Sequence, residues 1–478
     1  MKTTRSHWER RECLEAIALS GVAVAVPRAY AQDLQRVTIN DVTRLNPVSV
    51  ARQVQPSSAD EVQKAVRTWP GALSVGGGRF SMGGQIAAPD SLHIDMRALS
   101  GVVAYSPENR FIRVQAGITW RAIQDRIDQH GQSVKIMQSY SNFTVGGSVS
   151  VNCHGRYVGR GALVNSLRAL QLVLPDGEVV EATRERNAEL FRAAVGGYGG
   201  VGIVTEVELD LDDNTRIERM VKSVSLEDYP AWFRQEVLRN EAAVLHNADL
   251  SPPYFDAPTA ISWLRTEKPL TEPRRLVPRG LRYSHEQNVI WAVSELPGGG
   301  AIRSAVEKSL LQKPAVVWRN FEASMDNASL EPRTRSVSTF VLQEYFIPVA
   351  NFLPFVRQMA AILRGRETGV LNVSIRHAPA DMTSMLTWAP TDVFCFVLYY
   401  KQRVTESASR AVEAWTRELV DLALRNGGRY YLPYRLHATR DQFARAYPES
   451  AQFALLKKKL DPGNRLRNLL WDRYLQGA

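Results

Sequence analysis

The sequence predicts an α+β fold built in two parts, and three observations carry that prediction. Glycine-rich turns interrupt short apolar strands at three places between residues 76 and 202. An Asp-Gly pair, Asp176-Gly177, joins two apolar runs in the manner of a β-hairpin. Beyond about residue 340, strand-like and helix-like segments alternate over an apolar pattern.

Taken in order, Ser57 or Ser58 caps a helix whose apolar stripe is Val62, Ala65, Val66 and Trp69, ended by Pro70-Gly71. Leu73–Val75 reads as a short buried strand that runs into the loop Gly76–Gln85. Leu92–Met96 and Phe111–Gln115 are further strands, and Thr119 caps a helix facing inward through Trp120, Ile123 and Ile127. Leu167–Leu174 and Glu178–Ala182 form the hairpin, Asn187–Ala194 a short helix, and Val201–Leu211 a strand. Composition shifts near residue 214, with long loops at Ser251–Ala257 and Lys268–Gly280. Residues 303–312 read as a helix, Phe340–Phe346, Val370–Arg376 and Asp392–Tyr400 as strands, and Val349–Leu363 as a helix between the first two. Glu406–Arg425 is a helix with Val412, Trp415, Leu419 and Leu422 on one face, closed by Asn426-Gly427-Gly428. The expected boundaries are 1–31 for a leader, 32–213 and 214–440 for the two parts, and 441–478 for a C-terminal segment.

A chain of 478 residues exceeds what one small core supports. No run of about 18 apolar residues appears, so no membrane span is expected. The net charge of +10 is spread along the chain without a basic block or an aromatic-rich basic stripe, which argues against nucleic acid. The three cysteines, Cys13, Cys153 and Cys395, have no metal-ligand spacing, and Cys153 and Cys395 read as buried free thiols. At the N-terminus, Arg10-Arg11, the apolar stretch Ala16–Val26 and Ala29-Tyr30-Ala31 read as a twin-arginine export signal, which implies a periplasmic or secreted protein, or a cytoplasmic one if the leader is not a signal.

Gly197–Gly202 matches G-x-G-x-x-G, yet a helix precedes it and a β-rich run follows. A dinucleotide fingerprint needs the reverse order, so the nicotinamide reading fails. Gly76–Gly84 lacks the G-K-[ST] of a phosphate loop and reads either as an ordinary glycine-rich loop or as a nest of backbone N–H groups around a pyrophosphate, with Arg79 adding charge; the loop alone does not decide between them.

Together, Val75–Gln85, Thr144-Val145-Gly146-Gly147 with Asn152-Cys153-His154-Gly155, the Gly196–Gly202 turn with Ile203–Glu206, and the tail Asp461–Asn464 with Asn468 resemble the FAD-linked oxidases of the vanillyl-alcohol oxidase and p-cresol methylhydroxylase superfamily. Aldonolactone oxidases and decaprenylphosphoryl-ribose oxidase look nearest. The resemblance implies a two-subdomain FAD-binding domain, an α+β substrate (cap) domain with an antiparallel sheet, and a tail that returns to the flavin. It implies FAD contacts from Gly76, Gly77, Gly78, Arg79, Phe80, Ser81, Gly84 and Gln85 in the first stretch. The second supplies Thr144, Gly146, Gly147, Ser150, Asn152, His154 and Gly155, and the third Gly199, Gly202, Ile203 and Val204, with Asn468 from the tail. Phe80 stands where many relatives carry a flavin-linking histidine, so the FAD is expected to be held non-covalently.

The resemblance implies hydride transfer from a CH–OH group of a sugar, polyol or lactone-like alcohol, with oxygen or a redox partner as electron acceptor. An amine or phenol substrate, or an electron-transfer role without a substrate of its own, are the alternatives. An alcohol must lose its O–H proton as its C–H leaves, so a positioned base is needed. The candidates are His154, Tyr431, Tyr434 and Glu344; Arg376 reads as a contact to a substrate oxygen or to the reduced flavin anion, or as the partner of a carboxylate elsewhere in the chain. His154 reads equally as a structural histidine and the tyrosines as packing, while Tyr399, Tyr400 and Trp388 read as strand and core residues. Ser374-Ile375-Arg376 keeps the arginine but not the glutamate of the lactone oxidases' Glu-x-Arg, and Tyr434 stands where the ribose oxidase has a lysine.

Overall fold

The computed structural model describes residues 36–295, 311, 313–332, 334–366 and 368–475. The expected leader over 1–31 and all but residue 311 of the expected helix over 303–312 lie outside these residues.

Among the described residues the first part holds a two-stranded antiparallel pair, Val37–Ile39 with Val48–Val50, and two further sheets. A small parallel sheet orders Arg52–Val54, Leu92–Asp95 and Leu73–Gly76. A larger antiparallel one orders Val179–Thr183, Leu167–Val173, Ile203–Asp213, Phe111–Gln115 and Val102–Ser106, with Gln132–Val134 paired to the end of Ile203–Asp213. The Asp-Gly hairpin forms as expected, with Val179 opposite Val173. Ser58, not Ser57, caps the first helix, Ala59–Thr68, by accepting from the Glu61 N–H. Thr119 caps Trp120–Ile127 in the same way.

The second part is an eight-stranded sheet in which every neighbouring pair is antiparallel. Its order is Val316–Trp318, Arg216–Ser223, Thr259–Arg265, Ala243–Leu250, Val370–Ala378, Val393–Arg403, Ser338–Pro348 and Arg429–Tyr430. The strands Arg216–Ser223, Ala243–Leu250 and Thr259–Arg265 have no counterpart in the sequence reading. Arg216–Ser223 shows why: it carries charges on a half-exposed surface and lacks the apolar alternation that marks a strand.

Period-two alternation divides the central strands into two faces. Tyr345, Phe396 and Tyr400 point to one side and meet Phe355 and Trp415, with ring centroids 6.2, 4.9 and 5.0 Å apart. Those partners belong to the helices Phe352–Arg364 and Glu406–Arg425, which cover this outer face. Leu342, Glu344, Cys395, Val397, Tyr399, Ser374 and Arg376 therefore occupy the inner face, and most of them line the cavities described below. Cys153 and Cys395 are both buried and free.

The tail joins the parallel sheet. Leu73 N–H donates to the Arg465 carbonyl at 2.6 Å and the Arg467 N–H to the Leu73 carbonyl at 2.8 Å. One continuous apolar core runs from Val62 to Tyr474, and residues from Arg36 onward form one compact unit.

Candidate active site

The three glycine stretches converge on one cavity. Val75, Gly77, Ser81 and Gln85 supply one wall, Thr144, Gly146, Gly147 and Ser150 a second, and Gly199, Gly202, Ile203 and Val204 a third. Local chemistry fixes each wall. The Gly78 N–H donates to Thr144 Oγ1 at 3.1 Å, tying the first wall to the second. Gly146 packs on Ala116 so closely that a Cβ would come within 2.7 Å of the Ala116 methyl. Gly199 is left-handed, with φ of +69°, and a Cβ built on it meets nothing within 4 Å. Side-chain-free backbone thus faces open space, which is what an extended phosphate-bearing group requires of its cradle.

A larger cavity adjoins it, sharing Gly77, Ser81, Thr144, Gly147 and Val151, and contains about 1300 Å³ of empty space including its mouth. Gly78, Arg79, Phe80 and Phe143 form one end, the two phenyl rings lying 4.1 Å apart between centroids. The inner face of the large sheet forms the other, presenting Glu344 and Arg376 opposite His154, Tyr431 and Tyr434.

These side chains are organised around Glu344. Its Oε1 lies 2.6 Å from His154 Nε2, and its Oε2 accepts from the Tyr434 hydroxyl at 3.2 Å. His154 and Glu344 are almost wholly enclosed, with side-chain exposures of 3% and 2%. Burial, reinforced by the Glu344 charge, pushes the Tyr434 phenol well above its ordinary pKa, so it remains a donor. Burial does the same to the Cys395 thiol, whose sulfur lies near His154 and Glu344. Arg376 lines the same cavity with no hydrogen-bond partner among the described residues, and its Nε is buried and unsatisfied. An unpaired guanidinium in such a place is costly unless a ligand oxygen meets it.

Other predicted residues have different placements. Tyr431 lines the cavity, but its hydroxyl donates to the Val151 carbonyl at 2.8 Å. Arg79 turns its guanidinium to Asp95 at 3.0 Å, so its charge is shared with a buried carboxylate. Gly76, Gly84, Asn152, Gly155 and Asn468 line neither cavity. Gly76 lies against His93 and Gly84 against Leu469. Asn152 donates to Asp381 and Ser384, both at 2.9 Å, and its Oδ1 accepts from the Val164 N–H. Asn468 caps Leu469–Tyr474 and donates to the Tyr198 carbonyl at 2.9 Å. These residues support the segments that carry the site. Trp388 is core, as the sequence reading has it, with its indole donating to the Asn152 carbonyl. Tyr399 differs from that reading: it lines the cavity, as its place two residues from Val397 on the inner face requires. Ser139 and Tyr140, also in the wall, carried no sequence signal.

A glycine-walled cradle leading into a chamber of buried acid, base and guanidinium defines a flavin-dependent oxidoreductase. Comparison with known proteins agrees. Residues 50–183 match the family model described as FAD binding domain, and residues 315–476 match that of D-arabinono-1,4-lactone oxidase. L-gulonolactone oxidase of Bos taurus is 22% identical over 421 residues, covering 85% of this chain and 91% of the relative. The Mus musculus L-gulonolactone oxidase is 30% identical over 158 residues, 32% of this chain and 36% of that protein. Cytokinin dehydrogenase 1 of Arabidopsis thaliana is 29% identical over 159 residues, 33% of this chain and 28% of that protein. The chain thus carries a match to an FAD-binding domain in its first part and to the aldonolactone oxidases in its second, and it is similar to FAD-linked oxidoreductases of that kind.

Proposed function

We propose that this enzyme oxidises a CH–OH group of a sugar, polyol or lactone-like alcohol, with its FAD held non-covalently. The observation that carries the reading is the chamber beside the glycine cradle, where a buried carboxylate and an unpartnered guanidinium face one space. Bound FAD supplies the hydride acceptor. Arg376 binds the substrate oxygen and holds the carbon in place. Glu344 takes the hydroxyl proton: each carboxylate oxygen has two lone pairs, so Oε2 can accept from substrate and Tyr434 together. His154, 2.6 Å away, holds Glu344 in position and shares the proton it gains. Enclosure of the pair keeps water from competing for it.

The match of residues 315–476 to the lactone-oxidase model, and the 421-residue alignment with L-gulonolactone oxidase, favour a CH–OH donor over an amine. The alignment with cytokinin dehydrogenase 1 covers only a third of the chain. Phe80 has no atom able to bond the flavin covalently, which supports a dissociable cofactor. Export through the leader, with oxygen or a redox partner taking the electrons, completes the proposal.

Anaerobic mixing with a panel of aldonolactones, alditols and amines tests it. Bleaching of the flavin by lactones or alditols is the expected result, and bleaching by amines alone would overturn the substrate class. Acid precipitation should release the yellow colour into the supernatant. Retention in the pellet would refute non-covalent binding. The mature exported protein should begin at Gln32.

A further inference from the structure

Beyond Arg376 the chamber does not end. A second cavity shares Tyr140, Leu342, Arg376, Val397 and Tyr399 with it and extends across the same face of the large sheet. Its floor is polar, because strand register places Asn247, Asp249, Asn372 and Ser374 on the inner face: Asp249 pairs with Ser374, and Ser374 with Val397, which in turn pairs with Glu344. Asp249 accepts from Asn372 Nδ2 at 2.9 Å through Oδ1 and from Asn247 Nδ2 at 3.1 Å through Oδ2. No Lys or Arg among the described residues pairs with it; Arg156, which lines the same cavity, is committed to Glu322 at 2.8 Å. Asn247 is itself only 8% exposed. Ile290 and Leu371 furnish apolar wall.

We propose that this cavity is a distal subsite for a neutral polyhydroxylated extension of the substrate, so that the enzyme prefers a glycosylated or long-chain alcohol to a single small lactone. The inference rests on the CH–OH reading above. Asp249 and Glu344 lie on the outer two of four adjacent strands, and the three strand spacings between them amount to about 14 Å, more than one sugar ring occupies. A carboxylate held by two amides offers acceptors and donors side by side, which suits vicinal hydroxyls. Asp249 disfavours an anion at the floor, and Arg156 in the wall is already engaged by Glu322, so a neutral extension suits the floor better than a phosphorylated one. Apolar wall opposite a polar floor suits the C–H faces of a sugar.

The test is anaerobic reduction of the flavin by a series of matched donors: a free alditol or aldonolactone, the same unit bearing one neutral glycosyl group, its phosphorylated analogue, and its amino analogue. The glycosylated donor should show a kcat/KM at least about 10-fold higher than the free one, mostly through KM. Asp249→Leu, and Ile290→Trp, which fills the cavity from the opposite wall, should each lower the glycosylated-to-free ratio by about 10-fold. Retained flavin absorbance in both variants certifies that they fold, and agreement between two chemically unrelated changes removes a folding explanation. Equal kcat/KM for free and glycosylated donors, or a preference for the phosphorylated or amino analogue, would overturn the subsite. If none of the alcohols reduces the flavin, it is the CH–OH reading that fails. If the free alcohol reduces it and extension brings no gain, only the subsite fails.

Discussion

The glycine cradle and the inner face of the large sheet solve opposite problems. The cradle must let backbone approach a large cofactor, and it does so by leaving side chains out: Gly77, Gly147, Gly199 and Gly202 line it within three short stretches. The sheet face must present charge in a buried place, and it does so with side chains gathered from distant strands. Glu344, Arg376 and Asp249 come from three different strands, and His154 reaches Glu344 across 190 positions of sequence. On the function proposed above, binding is thus distributed over backbone, whereas chemistry is concentrated in a few atoms. Single substitutions should therefore act very differently in the two regions.

The sharpest contrast is expected from Glu344→Gln. The amide cannot accept the substrate proton, so flavin reduction should slow by about 100- to 10,000-fold while FAD content stays that of the wild type. Anaerobic stopped-flow absorbance measures the rate, and a full rate would remove Glu344 from the proton path. Arg376→Met should cost about 10- to 100-fold in kcat/KM, the worth of a charged hydrogen bond to substrate, again with FAD retained. If kcat/KM is unaffected, the guanidinium serves packing alone. Gly199→Val reverses the pattern. A β-branched residue at φ +69° is strained, and its side chain would enter the cradle, so FAD affinity should fall by about 10-fold or more. Fluorescence titration of the apoprotein reads this directly, and the rate with saturating FAD should change far less than in the Glu344 variant.

The smallest effect concerns stability shared by both regions. Burial lowers the pKa of His93 beneath the cradle to about 4, and those of His246 and His437 in the second part to about 3. The unfolded chain takes up these protons near 6.5, whereas the folded protein does not, so the unfolded state binds more protons as pH falls. Stability is therefore fully present above about 6.5 and declines as pH drops toward the folded values. Thermal unfolding of the holoprotein at pH 7.5 and pH 5 should show a lower midpoint at pH 5. Because one core joins the regions, a single transition is expected; two transitions would mean that the cradle and the sheet unfold separately.

Much of the cradle was legible in sequence because its determinants are local. The Asp176-Gly177 turn, the caps at Ser58 and Thr119 and the helix Glu406–Arg425 follow from a few neighbouring residues, and all appear where the pattern puts them. The reversed strand–helix context of Gly197–Gly202 likewise separated flavin from nicotinamide. The sequence also named Glu344, Arg376, His154 and Tyr434, but as separate candidates. Their assembly around one carboxylate was not visible, since it depends on strand register and on how the sheet faces the cradle. Arg216–Ser223 and Ala243–Leu250 were missed, and with them Asn247 and Asp249. Asn152 and Asn468, expected at the cofactor, line neither cavity and hydrogen-bond to neighbouring loops.

By itself, then, the sequence determined the class of cofactor and the α+β plan, because glycine conformation, capping and period-two alternation act over a few residues. Only the tertiary structure decided which carboxylate meets His154, that Arg376 has no hydrogen-bond partner among the described residues, and that the chamber continues to Asp249. Those facts come from cross-strand register and burial, which bring together residues that share no local pattern.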